Sequence, residues 1–491
     1  IDILVNNAGE VTNELYLMMT EKKLREIYEI NFFAQSKITK QVLKKMLINK
    51  SGSIINLATS SVLAAIPINA QPKSHLPDWL SLNVEQQSRI QHLDGQLRAG
   101  LSGSDQGFEM RNLLKAEATS ESFSVTAEFA DMRTYLVDSG TPLDSFTNNP
   151  LDILQANLTL PFSSVLSEGD KGFIRIGRFT MDQGSRRFVA RNRFRNTINS
   201  FAGVQARLEN GSSSMELFYT RPTKRRVSGD WIDNDPRLDK QSDDLFWGAY
   251  FTTQLTAQTD SLQLYLLGAD ERRDQPANQR FDVLTTGARL FRNPNPNLWH
   301  YDIEAVYQFG DAPALDAASQ PLDHKARYFH LSLGYSFETS WQPRLSFLYH
   351  YGSGDKDPLD NKSGELDHMF GVPRPDFGPT GLFRAFQRVN TSSPGLMLNL
   401  QPTANVDAYV RWQRPSLAEK AQGWRTTRYR HPGNLGEDYL GNQLETRVRW
   451  NILPNRLTID GGYIWIDAGP YMDIVNKGGS HYFYLQTILR L

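Results

Sequence analysis

Segments of about ten residues in which apolar and polar side chains alternate constrain this chain more than any other feature. Residues 443–450 place Val448 and Trp450 on one face of an extended strand. Arg447 and Arg449 fall on the opposite face, because successive side chains of a strand point to opposite sides. The same alternation recurs in residues 202–208, 303–309, 329–337 and 406–413. Alternating segments of this length between turn-rich loops are typical of a transmembrane β-barrel.

The alternation predicts about nineteen candidate strands, which we place near residues 79–93, 106–118, 121–135, 151–161, 171–182, 199–209, 213–222, 244–256, 260–270, 281–292, 298–310, 326–339, 343–352, 381–390, 394–401, 405–414, 440–453, 456–467 and 480–491. Single-chain bacterial barrels have an even number of strands, so we expect one segment to be a loop. The predicted fold is therefore an all-β, antiparallel transmembrane barrel of about eighteen strands.

The connections between these segments are of two kinds. Short ones, such as Glu209–Ser212 and Leu453–Arg456, are the tight turns expected on the periplasmic side of such a barrel. Residues 222–243, 352–380 and 414–439 are long and polar, and we expect them to be external loops. Aromatic girdles are indicated by tryptophans near predicted strand ends, namely Trp79, Trp247, Trp299, Trp412, Trp450 and Trp465.

Composition excludes several other classes. No run of about 18 apolar residues is present, so a membrane-spanning helix is not predicted. The absence of cysteine excludes a disulfide scaffold, a thiol nucleophile and a thiolate metal site. A net charge of −1 argues against nucleic acid as a partner. The nine histidines are scattered and predict no zinc site, and no nucleophile triad is evident.

The basic residues change character along the chain. Of 53 basic residues, 17 are lysine and 36 are arginine, yet residues 1–70 hold seven lysines and one arginine. One evolutionary unit rarely changes its basic residue so abruptly. The sequence therefore indicates a junction near residues 60–70.

The segment before this junction has a strand–helix–strand pattern. Apolar strands are predicted at Asp2–Val5 and Ser53–Ala58, and a helix is predicted at Thr20–Lys45. This pattern indicates a piece of a parallel α/β sheet.

The same segment, residues 1–61, resembles the middle of a short-chain dehydrogenase/reductase. The matching motifs are Asp2–Gly9, Asn31 within Glu-Ile-Asn-Phe, and Ser51–Ala58. The resemblance implies an NAD(P)-dependent oxidoreductase, but Pro72, Lys73 and Ser74 stand where that family has its Tyr-x-x-x-Lys acid and lysine. The family's glycine-rich phosphate turn belongs upstream of the first matched word, and this sequence does not contain it. We therefore expect an inactive fragment with no catalytic residues and no bound cofactor.

Residues 46–71 admit two interpretations. A lysine-bearing stretch, an apolar stretch to Ile68 and the small residue Ala70 follow in the order of a secretion signal. The other interpretation is an ordinary linker. The predicted organisation is thus a dehydrogenase-like fragment at 1–61, a linker or signal remnant at 62–76, and a barrel at 77–491.

The barrel region, residues 77–491, resembles the alginate-export family of outer-membrane porins. The resemblance rests on the motifs Pro77–Leu80, Glu128–Arg133, Asp152–Ala156, Gly177–Arg178 with Gly184–Phe188, and Phe201–Gly203. Phe179 and Ala202 depart from the family, which has glutamine and aspartate there. The resemblance implies a bacterial outer-membrane location, alginate or a related anionic solute as cargo, and outer-membrane lipid and the barrel-assembly machinery as partners.

The arginine content of the polar faces agrees with an anionic cargo. A polyuronate carries a carboxylate on every sugar, and arginine binds carboxylates through a planar, bidentate fork. The candidate pore-lining residues are Arg111, Arg133, Arg178, Arg187, Arg191, Arg193, Arg411, Arg447 and Arg449. The alternative is that these arginines pair with lumen carboxylates such as Glu109, Asp131, Glu304, Asp407 and Glu445.

Asp355, Asp357 and Asp360, with Asn361, form an acidic cluster in a predicted external loop. Oxygen ligands at this spacing can hold Ca²⁺, and a solvated acidic loop is the alternative. No other cofactor is expected.

Two further functions remain as alternatives to the porin. One is the short-chain oxidoreductase of the first segment, and the other is a soluble β-rich carbohydrate-binding protein, since soluble sheets also alternate. A propeller is not favoured, because no repeated blade signature is visible.

Overall fold

The computed structural model describes residues 3–6, 53–56 and 76–491, except 144–146, 165–166, 226–233, 235, 237, 256–259, 273–274, 315–318 and 430–435. The chain divides into two compact units, Ile1–Pro77 and Asp78–Leu491. In the first unit, strands Ile3–Asn6 and Ser53–Asn56 pair in parallel with Ile3 opposite Ser53. These are the two strands that the sequence predicts, while the predicted helix Thr20–Lys45 lies outside the described residues.

The second unit is a closed barrel of eighteen long strands, each antiparallel to its neighbours in the chain. These strands, here β1 to β18, are Leu80–Asp94, Ser104–Thr119, Ser124–Tyr135, Asn149–Ser163, Lys171–Phe179, Phe201–Asn210, Ser213–Lys224, Leu245–Gln254, Asp260–Glu271, Phe281–Arg292, Trp299–Ala312, Leu322–Ser336, Arg344–Gly352, Thr391–Thr403, Val406–Gln413, Gly441–Leu453, Leu457–Ala468 and Ser480–Arg490. The last strand pairs with the first, with Arg490 opposite Glu85, and this pairing closes the sheet. The predicted fold and strand number are confirmed.

Short turns join the strands at one end of the barrel and long connections join them at the other. Turns such as 211–212 and 454–456 lie at the first end, which is the periplasmic side in barrels of this class. The long connections carry the short helices Arg374–Phe377 and Pro470–Ile474, the 3₁₀ turns Ala277–Gln279, Lys420–Gln422 and Arg425–Thr427, and the two-residue strands Lys240–Gln241 and Lys362–Ser363. Within the described residues, no helix is long and apolar enough to cross a membrane.

The two faces of the wall follow the alternation in the sequence. In β16, Val448 and Trp450 are about half exposed on the outer face, whereas Glu445 is buried on the inner face. Outward-facing tryptophans lie near both ends, with Trp299 and Trp450 toward the short turns and Trp412 and Trp465 toward the long connections. An outer apolar belt bounded by aromatic residues is the surface that a bilayer requires.

Two of the long connections fold into the barrel instead of projecting from it. Residues 180–200 join β5 to β6, and residues 353–390 join β13 to β14. Most side chains of 180–200 and of 372–390 are buried. They pair through a bridge between Val189 and Phe370, with the Phe370 amide donating to the Phe188 carbonyl at 3.0 Å. The prediction that 352–380 is an external loop is therefore wrong for 372–380, where Val372 and Phe377 pack inside the barrel, whereas residues 355–365 stay accessible at its loop end.

Aromatic side chains hold these connections against the wall. Phe370 packs on Phe246 with ring centroids 4.8 Å apart, and Phe188 packs edge-on against Tyr328 at 5.9 Å. Elsewhere in the lumen, Phe386 stacks on Trp424. Burying an aromatic side chain contributes about 1.5–3 kcal/mol, so several such contacts fix the connections in the lumen.

Candidate functional site

The lumen is lined by the polar faces of the strands, and its deepest arginines are neutralised by neighbouring strands. Arg89 forms an ion pair with Glu109, and Arg411 forms one with Glu445, all four side chains being buried. Buried pairs of this kind require both partners, since removing one leaves an uncompensated charge. Arg411 therefore lies on the inner face, as predicted, but its side chain is buried there.

Asp376 is the centre of an ion-pair cluster between the two inward-folded connections. Its carboxylate accepts from Arg388 Nε at 2.8 Å and from Arg187 Nε at 3.2 Å. Arg187 reaches on to the wall, where its Nη1 lies 2.7 Å from Glu304. Burial alone would raise the pKa of Asp376, but Arg187 and Arg388 hold it well below the usual range, so the carboxylate stays ionised. We call Asp376, Arg187 and Arg388 the clasp.

The predicted arginines on residues 180–200 and in β2 differ in their access to solvent. Arg111 is buried and donates to the backbone carbonyls of Arg193 and Arg195 at 3.2 Å, which anchors the connection. Arg191 pairs with Glu128 at 2.7 Å and is partly exposed. Arg193 pairs with Asp182 at 3.1 Å, and 71% of its side chain remains accessible.

Arg447 and Arg449 lie on the inner face of β16, as the alternation predicts. Both donate to Asp460 of β17, Arg447 Nε at 2.8 Å and Arg449 Nη2 at 3.0 Å. Arg447 lies at the middle of the strand, and Arg449 lies in the half nearer the short turns with 41% of its side chain exposed.

Two predicted residues are not in the lumen. Arg133 shares the outward parity of Phe129 in β3, where it binds Asp131 at 2.8 Å beside exposed apolar residues. Arg178 pairs with Asp152 at the loop end of β5, in the outward register row of Ala156 and Ala202. By strand parity both fall on the outward side, because the buried inner positions are Glu128, Ala130 and Met132 in β3 and Phe179 in β5.

Other inward arginines were missed by the sequence reasoning. Arg207 of β6 and Arg490 of β18 keep 41% and 44% of their side chains exposed, and both lie toward the short turns. Arg175 of β5 bonds Gln205 at 3.1 Å, and Arg344 opens β13 on the inner face opposite Ser336. The polar face of residues 202–208 already contained the signal for Arg207, since Gln205 and Arg207 alternate there.

Each of the nine predicted arginines lies beside at least one carboxylate, as the pairing alternative requires. Of the five carboxylates suggested as partners, Asp131, Glu304 and Glu445 bind predicted arginines, whereas Glu109 binds Arg89. Pairing and solute binding are compatible where a side chain stays exposed, because an exposed pair is worth only about 0–1 kcal/mol and exchanges partners readily.

Metal-binding geometry among the described residues is confined to one group, formed by His330, His350 and Asp376. The two histidine Nδ1 atoms are 3.1 Å apart, but Asp376 is already held by the clasp. In the acidic cluster, Asp357 accepts from the Leu359 amide at 3.1 Å and Asp360 accepts from the Lys362 amide at 2.7 Å. The proposed Ca²⁺ site at Asp355, Asp357 and Asp360 stays a prediction.

A closed eighteen-strand barrel with an apolar outer belt, a polar lumen and inward-folded connections is the architecture of an outer-membrane porin. The sequence agrees with this class. The chain belongs to the alginate export family, which it matches over residues 78–480. The protein is a porin-like channel of the bacterial outer membrane.

Solved structures share the fold at low sequence identity. OccK3 (OpdO) of Pseudomonas aeruginosa is 12% identical with a TM-score of 0.52, over 84% of this chain and 95% of that chain. OccAB4 of Acinetobacter baumannii is 10% identical with a TM-score of 0.54, over 84% and 98%. OccK2 (OpdF) of P. aeruginosa, solved in complex with glucuronate, is 11% identical with a TM-score of 0.52, over 84% and 96%.

The N-terminal segment matches a different family. Residues 1–72 match the short chain dehydrogenase family. Nodulation protein G of Rhizobium meliloti is 36% identical over 66 residues, and the 3-oxoacyl-(acyl-carrier-protein) reductase FabG of Vibrio cholerae is 37% identical over 59 residues. These matches cover 13% and 12% of this chain, and the chain spans about a quarter of the length of each relative, 26% and 24%.

Proposed function

We propose that the barrel passes an anionic polysaccharide such as alginate, or a related anionic solute, across the outer membrane. The observation that carries this proposal is the set of inner-face arginines with exposed side chains. Arg207, Arg449 and Arg490 lie toward the short turns, and Arg193 lies on the connection inside the lumen. A path lined by such groups offers a polyuronate successive weak carboxylate contacts, so the chain is concentrated in the pore without being held there.

Two further points support an anionic cargo. Arginine outnumbers lysine 36 to 17 in the chain, and guanidinium groups suit carboxylates better than ammonium groups do. Glucuronate, the ligand in the OccK2 complex, is a uronic acid and so carries the same carboxylate as each sugar of a polyuronate.

The first segment is proposed to take no part in this function. Pro72, Lys73 and Ser74 stand at the expected Tyr-x-x-x-Lys, so the proton relay of hydride transfer lacks its acid. Insertion by the barrel-assembly machinery also stays a prediction.

Current block by a defined oligosaccharide tests the proposal. The full chain is refolded into a planar bilayer, and single-channel current is recorded with an oligouronate and with a neutral oligosaccharide of equal length. We expect the oligouronate to interrupt the current at concentrations at which the neutral sugar does not, because only the charged chain binds the arginines. Equal block by the two sugars would show that the lumen does not select carboxylates.

A further inference from the structure

The outer wall of the barrel carries an apolar groove that the channel function does not use. It has a volume of about 800 Å³ and lies across β7 to β13. Its floor is made by the small outward side chains Ala249, Ala288 and Ala305. The strand register places Leu264, Ala288, Ala305 and Phe329 in one row across the sheet, so larger side chains flank the small ones.

A single cation lines this groove. Arg327 of β12 points outward, is exposed, and lies opposite Tyr307 in the half of its strand nearer the long connections. Among the residues that the structure describes, no carboxylate pairs with its guanidinium. Lys325, two residues nearer the connection, differs in this respect because it is paired with Asp323 at 2.6 Å.

An unpaired cation beside apolar side chains is costly on a lipid-facing surface, and a negative headgroup would offset that cost. The level of Arg327 is that of the outer leaflet, because the long connections mark the external end of the barrel. The adjacent outward row toward the connections contains Leu284, Phe309 and Lys325. The row beyond it is acidic, since Asp270, Asp282, Asp311 and Asp323 follow one another in register. This acidic row repels a phosphate that would lie nearer the long connections.

We propose that this groove binds a phosphorylated glycolipid of the outer leaflet, of the lipid A type, with an acyl chain over Ala288 and Ala305 and a phosphate on Arg327. A groove of about 800 Å³ has room for an acyl chain. The guanidinium supplies the bidentate fork that a phosphate prefers. The site is independent of the solute that crosses the lumen.

Native mass spectrometry of the detergent-solubilised full chain tests the site, with diphosphorylated lipid A and its dephosphorylated form as probes. We expect the wild-type protein to retain lipid A, and we expect Arg327→Gln to lower retention about fivefold, the value of one basic group at a membrane surface. Lys325→Gln is the matched control and should leave retention unchanged, because Lys325 is already paired. Ala288→Phe should fill the groove and also lower retention.

Each variant is first shown to give heat-modifiable migration and wild-type single-channel conductance, so that a folding defect is not scored as lost binding. Retention of lipid A by Arg327→Gln at the wild-type level would overturn the proposal. Equal retention of the dephosphorylated lipid would overturn the assignment of Arg327 to a phosphate. Dimers that Ala288→Phe converts to monomers would show that a second copy of the chain occupies the groove instead.

Discussion

Arg449 is the lumen arginine whose charge can be removed with least damage to the fold. Its partner Asp460 also accepts from Arg447 Nε at 2.8 Å and from the Tyr484 hydroxyl at 3.1 Å, so the buried carboxylate remains compensated without it. Arg447 is the worse target, because it is largely enclosed and supplies the closer contact. Arginines with exposed side chains can therefore contact a solute, whereas buried arginines stabilise the wall.

We expect Arg449→Gln to weaken block by an oligouronate about fivefold, since an exposed charge pair is worth up to about 1 kcal/mol. The measurement is the concentration dependence of single-channel block. Arg133→Gln is the matched control, because Arg133 has the same charge but lies on the outer face, and it should leave block unchanged. An equal effect of the two substitutions would mean that the lumen does not bind the oligomer through Arg449.

Whether a side chain faces the lumen or the membrane could be predicted where apolar and polar residues alternate without a break along the strand. Glu445, Arg447 and Arg449 were placed correctly because Val448 and Trp450 alternate with them as an unbroken outer row. Arg133 was misplaced because it was chosen from a motif, Glu128–Arg133, that resembles the family. Such a resemblance does not show which way a side chain points. The alternation in its strand is regular, and the buried residues Glu128, Ala130 and Met132 mark the inner face.

The inward-folded connections are the elements that the sequence did not predict. Residues 355–365 have the polar composition of an external loop, whereas the burial of 372–390 depends on contacts with residues far away in sequence. Gly371 shows the constraint, because a Cβ there would overlap the carbonyl oxygen of Arg187. The close approach of the two connections therefore needs glycine at this position.

The clasp makes the position of these connections testable. Asp376→Asn removes the only carboxylate that pairs with the buried Arg388, at a cost of about 3–5 kcal/mol, whereas Arg187 keeps Glu304. We expect the connection to loosen, so that single-channel conductance rises and residues 353–390 become sensitive to protease. The barrel itself should stay heat-modifiable, because its strand ladder is untouched.

Asp357→Asn is the control for this experiment, since Asp357 lies on the same connection but only accepts an amide of its own turn. Unchanged conductance and protease resistance in Asp376→Asn would contradict the role given to the clasp. The pKa of Asp376 lies below that of a free aspartate, so the clasp is complete at neutral pH and weakens only as the pH falls through the depressed value.

The whole barrel was predictable because its signal is repeated in every strand. Eighteen segments of alternating residues, closed by the pairing of β1 with β18, need no single distinctive motif. The first segment could also be recognised as separate from the barrel, because its lysine content and its strand–helix–strand pattern differ from those of the rest of the chain. The solute was not predictable to the same degree, since it depends on which arginines stay exposed once the connections have folded inward.

The reversal potential under a salt gradient tests the central claim most directly. The refolded full chain is placed in a planar bilayer with a tenfold difference in KCl concentration, and the voltage of zero current is measured. We expect a reversal potential of the sign that marks chloride as the more permeant ion, because the exposed inner-face side chains include Arg193, Arg207, Arg449 and Arg490. A reversal potential of zero, or one of the opposite sign, would contradict an anion-selective lumen.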